Sequence, residues 1–217
     1  MPNWVTNKIQ APPHVIRAML NDEGAVDFNT VAPFPGPNDN WSGISVGAET
    51  AAQAAYSAPL SDVPMLAALE ADSRRRVDLK KLTDSCFEQF IGMLQNYRAC
   101  GYFHSMHFAR EVWGTKWNAC RPWAKPDEGQ CGFDTAWSCP EGVLVKLSER
   151  FPEDTITVIY ADEDLGNNCG TFVLKGGVMV EQDIAPDFRE MEPDVREKWK
   201  RFACDVKGLD PEDFFEE

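Results

Sequence analysis

Histidine is scarce in this chain. The 217 residues hold three, His14, His104 and His107. Nucleophile–base pairs and most transition-metal sites lean on imidazole, so that supply leaves little room for either. No Gly-x-Ser-x-Gly segment occurs, and neither does a phosphate-cradling GxxxxGK[ST] or GxGxxG loop. Apolar runs stay well short of the roughly 18 residues that span a bilayer, and residues 1–8 lack a charged-then-apolar leader pattern. The expected location is therefore cytoplasmic. The seven cysteines are odd in number and no two stand at Cys-x-x-Cys spacing. Reduced, mostly buried thiols are the reading that fits.

Bases are the minority charge: 21 Lys and Arg face 35 Asp and Glu, a net of −14. The excess is uneven. Residues 151–217 carry 18 acids and 7 bases, a net of −11, which leaves 17 acids and 14 bases, a net of −3, for residues 1–150. Such a surface repels nucleic acid and anionic membrane. It suits solubility or a partner protein with a basic surface. The one basic run, Arg74-Arg75-Arg76, reads as an exposed approach to a helix, and direct nucleic-acid binding is not expected.

What is present is apolar periodicity. Asn3 to Gln10 alternates as a strand, Pro12 and Pro13 open a short helix, and Ala25 to Ala32 is expected as a second strand. Helices are expected over 48–56, 63–71, 79–98 and 104–112. Trp113 to Ala119 alternates bulky and polar residues, residues 121–130 read as a loop, and Cys131 to Trp137 as a strand. Ser138 is placed to cap a helix carrying Val143, Leu144, Leu147 and Phe151. The run from Asp154 to Ala161 is β-branched, and Gly176-Gly177 signals a hairpin between 169–175 and 178–183. Residues 188–206 read as a helix with Met191, Val195, Trp199, Phe202 and Ala203 on one side, and 210–217 as a frayed acidic tail.

This order predicts an α+β fold: a ferredoxin-like antiparallel sheet of two β-α-β units plus a C-terminal hairpin, with helices on one face. One domain, 1–217, is expected. Its core would be 1–35 and 113–184, its helical insertion 36–112, and its acidic helix and tail 185–217.

Met1-Pro-Asn-Trp4, Val31-Ala-Pro-Phe-Pro35, Trp113-Gly-Thr-Lys-Trp-Asn-Ala119 and Phe133-Asp-Thr-Ala-Trp137 followed by Pro140 together resemble the YubB-like ferredoxin-fold family. Val5 and Cys139 depart from that pattern. The resemblance implies a protein carried by phages, plasmids and other mobile elements, and implies no particular reaction.

Two clusters invite a chemical reading. Cys100, His104 and His107 would share one face of a helix, and Cys120 could complete a zinc set. The aromatic content of 101–108 favours packing instead, and no metal or cofactor is expected. Trp113, Lys116, Trp117, Asn118, Asp134 and Trp137 form the candidate binding set, with Lys116 and Asp134 as an ion pair framed by indoles. Packing with register-setting polar pairs is the competing account. Asp162, Glu163 and Asp164 read as a solvated turn. The leading function is a non-enzymatic, protein-binding accessory protein, with counter-defence as a specific form: an acidic surface occupying a basic nucleic-acid-handling protein. The alternative is a small-molecule or nucleotide-binding protein, enzymes included, using the Trp-lined segment.

Overall fold

Alternation along Trp4–Gln10 puts Val5, Asn7 and Ile9 on one side, all buried, and Trp4, Thr6 and Lys8 on the other. This strand, β1, is the centre of the fold in a computed structural model that describes residues 2–214. Phe215, Glu216 and Glu217 of the acidic tail lie outside the described residues.

The chain divides into two compact units, Met1–Pro33 with Ala109–Glu217, and Phe34–Phe108. In the first, six strands form one sheet: β1, β2 (Cys120–Lys125), β3 (Gln130–Ala136), β4 (Thr155–Asp162), β5 (Cys169–Lys175) and β6 (Val178–Ile184). Their order is β2-β3-β1-β4-β5-β6, and every neighbouring pair is antiparallel. The register sets Asn7 opposite both Phe133 and Tyr160. Helix α6 (Glu141–Arg150) links β3 to β4, which run parallel with β1 between them, a split β-α-β unit. The fold is α+β with an antiparallel sheet and a C-terminal helix, as expected.

One expected unit forms differently. After α1 (Pro13–Arg17), residues 25–32 do not enter the sheet. They make an isolated bridge, Leu20 with Val26, and a 3-10 turn over Phe28–Thr30 capped by Asp27. Asn118 takes the Phe28 backbone N–H that a sheet partner would use. Phe28 then inserts edge-on against Phe133 and Trp113.

The segment before β3 also differs from expectation. Residues 121–130, read as a loop, begin in a strand, Cys120–Lys125, that pairs with β3, while Trp113–Ala119 forms no strand. Gly114, at φ +78, turns the chain after a π-turn over Ala109–Trp113, so the bulky residues that follow cannot alternate along a straight strand. Pro122 is tolerated because β2 is the terminal strand and bulges between Cys120 and Trp123.

The sheet face bearing Val5, Ile9, Phe133, Val158, Phe172 and Leu174 is buried. Helix α7 (Pro193–Lys207) lies on the opposite face, where Trp199, Ala203 and Val206 pack with Ala161 and Cys169. Helices therefore occupy both faces rather than one. Beyond α7 that second face is open along β1, β2 and β3.

In the second unit, α2 (Val46–Ala55), α3 (Pro64–Arg75) and α4 (Asp84–Cys100) precede the short α5 (Ser105–Phe108). Ala48, Ala51, Ala52, Phe90, Met93 and Phe103 make its core. Buried Asn96 ties the loop to α4: its Oδ1 accepts from the Asn38 N–H at 2.9 Å, and its Nδ2 donates to Asn38 O and Phe103 O. Each buried polar atom thus finds a partner, which offsets the cost of taking the amide out of water.

Candidate functional site

The six residues of the binding set divide into three environments. Trp113 and Asn118 belong to the packing. Trp113 is 6% exposed and donates from Nε1 to Ala32 O at 2.8 Å. Asn118 accepts at Oδ1 from the Phe28 and Ala119 N–H groups and donates to Asp27 Oδ1 at 2.8 Å. Burial pushes the Asp27 carboxyl up, but hydrogen bonds from Asn118 and Asn29 outweigh it and hold the group below its usual range.

Asp134 anchors a polar network on the open sheet face. Thr6 donates to its Oδ1 at 2.9 Å, and Arg121 Nε meets its Oδ2 at 2.7 Å. The ion pair expected between Asp134 and Lys116 is therefore made by Arg121, an exposed residue that stands at the β2 bulge with φ +48. Lys207, from the last turn of α7, donates to Thr6 Oγ1 at 3.2 Å and Trp4 O at 3.4 Å. Burial lowers the Lys207 pKa, and the nearby Asp134, Asp162 and Glu163 partly counter that. The Arg121 guanidinium lies 5.1 Å from the centre of Trp4, which packs at 6.0 Å from Trp117. Lys116 Nζ sits 4.3 Å over Trp117.

Lys116 and Trp137 share the third environment, a cleft of about 330 Å³ with Arg110, Gly114, Thr115, Ala136 and Ser138. Trp137 follows β3 and takes φ +73, a conformation that side-chain-bearing residues rarely adopt. Its N–H donates to Asn3 O at 2.9 Å and its carbonyl accepts from Asn168 Nδ2 at 3.1 Å. The residue is 53% exposed. Thr115 donates to Ala136 O at 3.0 Å, and Ser138 donates to Gly114 O at 2.5 Å. Ser138 thus closes the cleft wall and does not cap α6, whose N-cap is Pro140. Arg110, Thr115 and Ser138 have no local signature in the sequence. The tight turn at Gly114, set against the start of α6, brings them together. A larger depression, about 430 Å³, is lined by Pro12, Pro13, Asp127, Glu128 and Thr155. It lacks both an aromatic wall and a cation.

The zinc candidates serve packing. Cys100 donates to Asn96 O. His107 Nδ1 accepts from the Phe103 N–H, and His104 Nδ1 accepts from the His107 N–H. His104 is 1% exposed, with Nε2 at 3.3 Å from Glu49 Oε1. Among the described residues no three His, Cys, Asp or Glu are grouped to hold a metal ion. His14 pairs with Asp154 at 2.7 Å. Asp162 is 4% exposed and accepts from the Asp164 N–H and from Asn168 Nδ2, so it organises the β4–β5 turn rather than lying solvated in it. Arg75 and Arg76 both pair with Asp72, while Arg74 donates to Ala58 O and Pro59 O. No helix among the described residues is long and apolar enough to cross a membrane.

Residues 112–203 match the family model described as the ferredoxin-like domain in Api92-like protein. The crystal structure of a protein api92 from Yersinia pseudotuberculosis is similar at 10% identity and a TM-score of 0.38, over 86% of this chain and 99% of that one. No curated protein matches. The matched region runs from the π-turn through β2–β6 into α7, so it contains the Trp137 cleft except Arg110, and Arg121 and Asp134 but not Thr6 or Lys207 of the polar network. It supports a ferredoxin-like domain of the Api92-like kind.

Proposed function

We propose that this is a non-enzymatic binding protein that takes hold of a basic protein surface through the outer edge of its sheet. The supporting observation is β6. It terminates the sheet, so one side of its backbone has no strand partner among the described residues, and six of its seven residues are exposed. Glu181 and Asp183 stand on it, and Lys198 of α7 reaches Asp183 at 3.5 Å, so helix and edge strand form one surface. Exposed Asp194, Glu197, Asp205, Asp210, Glu212 and Asp213 extend the acidic side. A basic extended segment would satisfy the free backbone groups by strand addition and the carboxylates by ion pairing.

A YubB-like, phage- or plasmid-borne setting and a counter-defence role accompany this reading as its narrower form: the acidic edge would occupy a basic, nucleic-acid-handling protein. The test is capture from host lysate, with and without nuclease, by the tagged protein and by a variant carrying Glu181→Lys, Asp183→Lys, Asp194→Lys and Glu197→Lys. The reading predicts a basic protein that survives nuclease, elutes with salt and is absent from the variant. Equal capture by both proteins would overturn it.

A further inference from the structure

Helix α3 turns its apolar side to solvent. Ala67, Glu70, Ala71 and Arg74, spaced three and four apart, are half-buried and form its inner side. Small residues and polar ties hold that side. Glu70 accepts from the Ser61 N–H at 2.9 Å, and Arg74 donates to Ala58 O and Pro59 O. The large apolar residues stand opposite: Met65, Leu66 and Leu69 are 72%, 45% and 60% exposed, and no residue of α3 is buried. An amphipathic helix ordinarily does the reverse. We propose that this outer side is the interface with a second copy of this chain, two α3 helices packed antiparallel about a two-fold axis at Leu69.

The apolar residues supply the drive. Met65, Leu66 and Leu69 are neighbours at helical spacing, and Val63, 51% exposed, extends them at the start of the helix. Covering such a patch takes apolar surface out of water, and patches of this kind mark sites of association.

Charge selects the occupant. Asp62 stands just before α3 and Arg76 just after it, each seven residues from Leu69. Seven residues make close to two helical turns, so the outer line through Leu69 runs towards both. At the C-terminal end Arg75 and Arg76 both pair with Asp72, so two guanidiniums share one carboxylate. At the N-terminal end Asp62 is exposed and has no ion pair among the described residues. The face thus has a surplus negative charge at one end, an apolar middle and a surplus positive charge at the other.

Such a face is complementary to itself once reversed, which is what a two-fold axis does. Leu69 of each copy meets its equivalent, and Asp62 of each copy meets Arg76 of the other, two ion pairs from one contact. A parallel arrangement would set like ends together. The general charge of the chain does not oppose the pairing either. The unit that carries α3, Phe34–Phe108, holds 8 acids and 6 bases, −2 of the total −14, so the surfaces that meet are nearly neutral. A 12-residue helix is about 18 Å long, and two of them make a small interface of the weak, reversible class.

The test is analytical ultracentrifugation of the full chain from about 1 to 300 µM, where a monomer–dimer equilibrium with a dissociation constant of about 10–100 µM is expected. Leu69→Asp should weaken it at least about tenfold at a melting temperature close to that of the parent, because the residue is exposed. Asp62→Arg and Arg76→Asp should each weaken it at least about threefold, and the two together should restore the dimer. A monomer at every concentration would overturn the proposal and leave the face to a different protein. A dimer untouched by Leu69→Asp would overturn it by placing the contact elsewhere. A double charge exchange that fails to restore pairing would overturn the antiparallel arrangement. The β6 edge is tested with other residues and another readout, so failure here and failure of the edge reading are separable.

Discussion

The indole of Trp123 lies across the backbone of Gly132, its register partner on the neighbouring strand. A methyl group added at Gly132 would sit 2.5 Å from Trp123 Nε1 and Cε2. The glycine thus makes room for the ring, and the ring covers a stretch of strand that has no side chain of its own. Gly132→Ala should therefore cost about 1–2 kcal/mol, because the ring must leave its place and surrender that contact. Denaturant unfolding measures it. In a Trp123→Ala background the same glycine substitution should be neutral or stabilising. Additive effects would show that the two residues are not coupled.

The Asp134 network is asymmetric. Arg121 is largely solvated, with 65% of its side chain exposed, whereas that of Asp134 is 16% exposed. Removing Arg121 takes away a screened partner, and Arg121→Gly also releases a positive φ, so a change within about 0.5 kcal/mol is expected. Asp134→Ala leaves Thr6 and Arg121 without their shared acceptor, removes a negative charge near the half-buried Lys207, and should cost about 1–3 kcal/mol. Equal effects from the two substitutions would contradict this account.

Thiol chemistry separates the cysteines. Burial pushes the Cys131 and Cys169 thiols up to about 12, and Cys139 is raised well above its usual value by burial and Glu141. Cys86 is lowered, chiefly by the Ser45 hydroxyl, which donates to its sulfur at 3.1 Å, and also by Thr83. Mass spectrometry after brief alkylation near pH 8 should find Cys86 labelled first, and Cys131 and Cys169 labelled only on unfolding.

The same shifts set a pH dependence. Above about pH 8.5 an unfolded chain loses thiol protons that the folded one retains. Stability that is complete below that point should fall as pH rises towards 12. Lys207 and Cys86, both lowered in the fold, act in the opposite direction. Melting temperatures recorded from pH 7 to 11 should decline above 8.5, and replacing Cys131 and Cys169 by Ala should flatten the decline.

Much of this architecture is legible in the sequence, and local strength explains where. The β-branched run of β4 and the Gly176-Gly177 turn between β5 and β6 carry their own signals, as do the apolar stripes of α4, α6 and α7. Residues 25–32 mislead because Val26, Phe28 and Thr30 alternate as a strand does. The contact that decides their fate, Asn118 with Asp27 and the Phe28 N–H, comes from about 90 residues away. For the site, sequence pattern singles out Lys116, Trp137 and Asp134. It fails on partners: Arg121 sits in a stretch that reads as a loop, and Arg110 reaches the cleft through a π-turn that no local periodicity announces. Trp113, the most conspicuous residue of its segment, proves to be core.

That placement of Trp113 is itself testable. The ring is wedged edge-on against Phe28 at 5.5 Å, and its Nε1 spends its one proton on Ala32 O. Trp113→Phe keeps an aromatic ring, removes the donor and leaves a buried carbonyl unsatisfied, a loss of about 1–3 kcal/mol together with a small void. Trp113→Ala should cost about 3–5 kcal/mol. Trp137→Ala, at a ring that is half in solvent and on strained backbone, should change stability by less than about 1 kcal/mol. The ordering Trp113→Ala, Trp113→Phe, Trp137→Ala in decreasing cost is what urea midpoints should return. If Trp137→Ala proved the costliest of the three, the exposed indole would be a structural strut, and its claim to face a ligand would fall with it.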